Sequence, residues 1–242
     1  MRAVEDGNWW FAGKRMLVEE LLRQALGAGR LGRVLDVGCG TGATLAMLAR
    51  LADPVGIDRA PAALRLAAER RVGHLCAADA ERLAFADGVF AAVTALDVVE
   101  HLDHPVRALR EMGRVCAPGG VVLVTVPAYS LLWSDHDVAL EHRRRYTPRL
   151  LRQQMEAAGL EVVRLSHAYA AFFLPALVVR RLLRLGSRRK VPEADLGMVA
   201  GPVNALLAVY MRCEAVVLPW LNLPFGTSLV CAARSRNLKS EI

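Results

Sequence analysis

Gly38, Gly40 and Gly42, in the run VLDVGCGTGA from Val34 to Ala43, make a loop almost free of side chains between an apolar segment and the next. Such a loop lets main-chain N–H groups approach a ligand closely, and Gly38, Gly40 and Ala43 match the dinucleotide fingerprint G-x-G-x-x-G/A. Asp58 follows Gly38 by 20 positions, where a carboxylate can accept both hydrogen bonds of a ribose diol. Arg59 beside it is the residue type that would meet a 2′-phosphate. Asp79, in AADAERLAF, is a second carboxylate placed to accept from an adenine amino group, and LDVVEHLDHP adds more acid to the same edge. Asp36 either joins this ligand set or braces the loop. So many carboxylates would repel a pyrophosphate, whereas a sulfonium carrying an ammonium would be tolerated.

A second chemical cluster lies in WSDHDVALEHRRRYT, from Trp133 to Thr147. His136 and His142 are candidate general bases there, with loop-bracing ion pairs to Asp135, Asp137 and Glu141 as the alternative. A metal site of His136, Asp137 and His142 is conceivable by residue type, but nothing in the spacing is diagnostic and no metal is expected.

These residues need a scaffold that brings them to one edge. The sequence alternates short β-rich apolar runs with helical periodicity: strands at 31–37, 54–58, 73–79 and 89–97, with helical segments between them. A fifth strand follows the Pro118-Gly119-Gly120 turn, a helix begins at Thr147 as N-cap with Pro148 at N1, and the last two strands are LEVVRLSHAYA and TSLVCAARS. The fold class is α/β, a doubly wound parallel sheet with helices on both faces.

The chain resembles the class I S-adenosylmethionine-dependent methyltransferases, in the branch of quinone-biosynthesis and small-molecule enzymes. The resemblance rests on VLDVGCGTG, VGID, AADAERLAF, ALDVVEHLDHP and LREMGRVCAPGGVVLVTVP in the usual order, from about Leu31 to Pro127. It implies a Rossmann-like seven-stranded sheet in the order 3-2-1-4-5-7-6, with strand 7 antiparallel. It further implies S-adenosyl-L-methionine as cofactor: Gly38, Gly40 and Gly42 under the methionyl part, Asp58 on the ribose, Asp79 and Ala80 at the adenine, Leu96 and Asp97 beside the sulfonium and amino group. Glu100 and His101 belong on the cofactor side by the same resemblance. Ala84 and Cys116 depart from the usual Pro and Leu without touching the cofactor residues.

The 242 residues are expected to form a single domain, and 54% hydrophobic content fits a buried core. Five scattered cysteines suggest neither zinc nor disulfides, and the N-terminus lacks the pattern of an export signal, so a cytoplasmic location is expected. The longest apolar run, 12 residues from Ala168 to Val179, is too short to span a bilayer.

Between the last two strands lies an apolar insertion, 171–225, expected as a helical cap over a hydrophobic small-molecule acceptor. Peripheral membrane contact is the alternative, because six of the positive charges behind the net +7 fall between Arg180 and Lys190. Asn204, Arg212 and Glu214 favour the cap, since they would interrupt a lipid-facing stripe. Nucleic acid is not expected as a partner, and oligomeric state is left open. Trp9, Trp10 and Phe11 begin an amphipathic helix expected to pack on the sheet, with closure over the cofactor cleft as the other role. The expected activity is methylation of oxygen on a hydrophobic or lipid-linked acceptor. Its rivals are a non-methylating enzyme using the same cofactor, a non-enzymatic membrane scaffold and a nicotinamide dehydrogenase.

Overall fold

The computed structural model describes residues 5, 7–27, 29, 31–185 and 201–235. Residues 186–190 of the basic stretch, and 191–200 of the insertion after it, lie outside them.

The run VLDV sits at the centre of the sheet. β1 (Arg33–Val37) pairs in parallel with β2 (Asp53–Asp58) and β4 (Phe90–Leu96). β3 (His74–Ala77), reached through α3 (Pro61–Ala68), adds to β2, β5 (Cys116–Pro127) adds to β4, and β7 (Ser228–Ser235) runs antiparallel between β5 and β6 (Leu160–Ala168). The order is β3-β2-β1-β4-β5-β7-β6, as expected.

Successive side chains of a strand point to opposite faces, so two cores form. Leu35, Val93, Val122 and Cys231 join one core with Leu109 and Met112 of α4 (Pro105–Val115) and Leu151 and Met155 of α6 (Pro148–Ala157). Val34, Ala92, Leu123 and Val230 face the other, with Leu17 and Leu21 of α1 (Trp9–Leu26) and Met47 and Leu48 of α2 (Ala43–Leu48). Thr147 caps α6 as expected, accepting from Leu150 N at 3.2 Å.

Several strand ends differ from expectation by a few residues, two of them with a visible cause. β3 stops at Ala77, and Asp79 lies beyond it in a tight turn, its Oδ1 accepting from Glu81 N at 2.9 Å. β5 begins at Cys116 and carries Pro118, Gly119 and Gly120 within it; a register shift opposite Phe90 and Ala92 absorbs the extra residues.

The insertion divides into two helices with different surroundings. α7 (Phe173–Leu185) packs against the 3-10 turn Ser130–Leu132 that follows β5, at the carboxyl edge of the sheet. α8 (Gly201–Val217) instead lies along α1, and its Met211 and Ala215 are buried in the second core with Leu218 just beyond the helix. Burying Met211 and Leu218 is worth about 1.5–3 kcal/mol each. α1 and α8 approach at Gly13, where a Cβ would run into the Met211 side chain.

Asn204 and Glu214 do not interrupt an outward stripe. Asn204 Oδ1 accepts from Trp9 N at 3.0 Å, and buried Glu214 accepts from the N–H groups of Tyr169 and Ala170 and from the Tyr210 hydroxyl. Both face inward because each satisfies a backbone donor near a chain reversal. Of the three, Arg212 alone is exposed. Trp9 and Trp10 pack on Phe172 and Tyr169, with ring centroids 4.8 and 4.5 Å apart.

Candidate active site

β1 delivers the chain into Gly38, whose φ of +70° favours glycine and whose Cβ, were there one, would lie 2.5 Å from Val98 Cγ2. Gly40 follows with open space above it, and Gly42 is the N-cap of α2. Asp58, at the end of β2, fixes this loop: its Oδ2 accepts from Gly40 N at 2.9 Å and its Oδ1 from Ala60 N at 2.8 Å. A cleft of about 290 Å³ opens here, lined by Val37, Gly38, Ile57, Asp58, Arg59, Ala78, Ala80, Asp97, Val98, His101 and Leu102.

Of the residues expected at the cofactor, Gly38, Asp58, Arg59, Ala80 and Asp97 therefore line one cleft. Asp79 is exposed and Leu96 is half-buried, both flanking lining residues. Asp36 points into the protein: Thr94 Oγ1 donates to its Oδ1 at 2.7 Å, and burial pushes its carboxyl up to about 7. The bond ties β1 to β4, and Asp36 is not among the residues that line the cleft.

Asp97 has a partner that sequence spacing did not reveal. Lys14 of α1 reaches it across 83 positions to form an ion pair, and Thr125 Oγ1 donates to it at 3.0 Å. Burial opposes its charge, yet Lys14 and Thr125 hold the carboxyl below its usual range. Lys14 also lies 6.0 Å over the Trp10 ring. Nothing in the sequence around Lys14 or Asp97 marks the two as partners.

The polar loop folds around a fully buried Asp137, in α5 (Asp135–Ala139). Five donors converge on its carboxylate. Arg145 gives Nε at 2.6 Å and Nη2 at 3.0 Å, Ser134 gives N at 2.8 Å and Oγ at 3.2 Å, and His142 gives Nδ1 at 2.9 Å. Burial works against this charge, but His142 and Arg145 prevail and the carboxyl titrates well below the usual range. An ionised carboxylate can only accept, so His142 Nδ1 carries the proton and Nε2 is left as the acceptor.

His142 is not among the residues that line the cleft; its ring lies 4.8 Å from that of His101, which is, and nearly perpendicular to it. Its Nε2 is 4.0 Å from Oε1 of Glu100, which is fully buried without a hydrogen-bond partner on either oxygen. Burial and neighbouring Asp97 push Glu100 well above the ordinary carboxyl value. Among the described residues, Glu100, His101 and His142 bring one potential metal-ligand atom each within 4.8 Å of one another. This set differs from the His136, Asp137 and His142 combination considered from sequence. His136 belongs to α5 and is half-buried; burial, above all, holds its imidazole below the usual value.

The cleft fits a nucleoside carrying a sulfonium and an ammonium: a glycine cradle that a Cβ would fill, and two carboxylates, Asp58 and Asp97, in its lining. Comparison with known proteins agrees. Residues 11–165 match the methyltransferase domain family. The chain is 35% identical over 154 residues to a ubiquinone biosynthesis O-methyltransferase of Azorhizobium caulinodans, covering 55% of this chain and 60% of that one. It is 38% identical over 134 residues to a demethylmenaquinone methyltransferase of Mycolicibacterium paratuberculosis, covering 54% and 56%. The chain thus spans less than two thirds of these relatives' length. A geranyl diphosphate methyltransferase solved with S-adenosylmethionine shares the fold, with a TM-score of 0.60 at 15% identity over 91% of this chain and 85% of that one. With most of its sheet and all of its cleft inside the matched residues, the chain belongs to the methyltransferase domain family.

Proposed function

We propose that this chain transfers the methyl group of S-adenosylmethionine to an oxygen of a hydrophobic or lipid-linked small molecule. The observation that carries the reading is the cleft in which Gly38, Asp58 and Asp97 meet. Asp58 offers acceptors for a ribose diol, and Ala80, with Asp79 at the rim, borders the adenine. Asp97 offers a carboxylate to the methionyl ammonium, and Lys14 an ammonium to its carboxylate. When bound, the cofactor supplies an electrophilic methyl group on sulfur.

The remaining work is positioning and proton removal. His142 Nε2 accepts the proton of the acceptor hydroxyl, and Asp137 stabilises the imidazolium through Nδ1. Arg145 and Ser134 hold Asp137 still, so the ring keeps its orientation. α7, apolar and packed at the carboxyl edge, gives an acceptor its greasy wall, with Phe173 and Phe225 5.7 Å apart. His136 is the second candidate base.

Calorimetric titration with S-adenosylmethionine, its demethylated product and NAD tests the cofactor, and NAD binding alone would overturn it. Transfer of labelled methyl from S-adenosylmethionine to prenylated phenols tests the reaction. His142→Ala is expected to keep cofactor affinity and lose turnover, whereas loss of both would make His142 structural. Labelling of ring carbon instead of oxygen would overturn the O-methylation reading. Cofactor binding without transfer to any acceptor would favour a non-methylating enzyme.

One observation favours a second reading of the insertion, as a peripheral membrane contact. Val203, Leu206, Val209, Val216, Val217 and Trp220 follow helical spacing along α8 and just beyond it, and all are exposed. A helix apolar on its packed face and on its outer face is unusual at a protein surface. Co-sedimentation with anionic vesicles that is lost in Leu206→Asp and fades with salt would support it, and its absence would leave α8 as packing alone.

A further inference from the structure

The β6 edge of the sheet holds a second cavity, which shares no lining residue with the cleft. It measures about 420 Å³ and lies between α6, edge strand β6 and the chain returning to β7. Pro148, Leu165, Leu223 and Pro224 give it apolar walls, and Arg149 and Arg152 place two guanidinium groups one helical turn apart at its mouth. Among the described residues no carboxylate lines it. Arg152 has Glu156 at 3.8 Å, whereas the Arg149 side chain makes no hydrogen bond or ion pair to another described residue.

The remaining polar wall is already committed. His167 donates from Nδ1 to the Leu223 carbonyl at 3.0 Å, so its Nε2 accepts from the Tyr129 hydroxyl at 2.6 Å. Ser166 Oγ donates to the His167 carbonyl and accepts from Leu223 N, both at 2.9 Å. An occupant therefore meets two cations at one end and hydrocarbon elsewhere.

We propose that this cavity binds an anionic amphiphile, a phosphate or carboxylate head on a short apolar chain. The guanidinium pair receives the head in the forked geometry that suits oxyanions, and the Leu and Pro walls bury the chain. Octyl phosphate, soluble as a monomer, and octanoate are suitable probes in calorimetry. Both are expected to bind, octanol is not, and inorganic phosphate is expected at least tenfold weaker than octyl phosphate. Exposed Arg149 and Arg152 can be changed without opening a core, and Arg149→Ser with Arg152→Ser is expected to lose at least tenfold in octyl phosphate affinity at unchanged thermal melting.

The His167 imidazole resonances are expected to shift on titration, which locates the ligand. Binding unaffected by the double variant, or inorganic phosphate as tight as octyl phosphate, would overturn the proposal. Phosphatidic acid vesicles separate the sources of the head group. Retention that the double variant loses assigns it to bilayer lipid, monomer binding without retention assigns it to a free amphiphile, and retention surviving the double variant without monomer binding counts against the cavity.

Discussion

Replacing Asp137 by Asn keeps the shape of the side chain and removes its charge. In the wild type one buried carboxylate satisfies two groups of Arg145, two of Ser134 and one of His142. An amide has one acceptor oxygen, and its NH2 would face donors, so at least two of the five lose their partner and the Arg145 charge stays buried without compensation. Breaking a buried ion pair from one side costs about 3–5 kcal/mol, against a total stability on the order of 5–15 kcal/mol. For a domain of this size each kcal/mol moves the melting midpoint by about 2–4 °C, so a fall of about 6–20 °C is expected. Because the wild-type carboxyl is depressed, its contribution is present above the unfolded carboxyl value and is lost as pH falls through its own. The deficit of Asp137→Asn should therefore be full at pH 7 and shrink in strong acid. Urea unfolding of both proteins across pH measures it, and a loss under 1 kcal/mol at pH 7 would refute the buried network.

Asp58→Ala removes the brace on Gly40 and the expected ribose partner together, so affinity for S-adenosylmethionine should fall by about 1.5–3 kcal/mol, read by calorimetry; unchanged affinity would remove β2 from the cofactor site. Gly38→Ala drives a Cβ into Val98 at a positive φ, and cofactor binding should be lost while circular dichroism stays that of a folded α/β protein. The folded protein binds more protons than the unfolded chain between about pH 4 and 7 because burial raises Asp36, so stability should decline as pH rises through that window, by up to about 4 kcal/mol. Asp36→Asn should flatten this slope, and equal slopes in urea midpoints between pH 5 and pH 7.5 would show that Asp36 does not titrate there.

Much of the architecture could be read from the sequence because its strands are buried on both faces. VLDV and GGVVLVTVP have no polar alternation, and only a sheet covered on both sides accommodates such runs. Thr147 with Pro148 announced α6 by capping chemistry alone. The lining of the cleft was legible because Gly38, Asp58 and Asp97 sit at strand ends, where local pattern and position in the fold coincide. What escaped depends on long-range encounters. Lys14 and Asp97 are 83 positions apart, and nothing in either neighbourhood specifies the other. Asp137 reads as a surface partner of His136 or His142, and its pairing with His142 is found, yet the burial of the pair beneath Arg145 is not in the local pattern. Glu214 sits on a helix apolar all round, so periodicity could not tell its buried face from its exposed one.

The contact between Gly13 and Met211 also constrains how the chain is made. α1 buries Leu17, Leu21 and Leu22 partly beneath α8, and the partner residues leave the ribosome nearly 200 positions later. At about 5–20 residues per second, α1 waits roughly 10–40 s for its cover. Contacts of such sequence separation form late, after the loop entropy between them has been overcome. The nascent chain therefore carries an uncovered leucine stripe through most of its synthesis, and α1 is the segment at which chaperone engagement and aggregation during expression should concentrate.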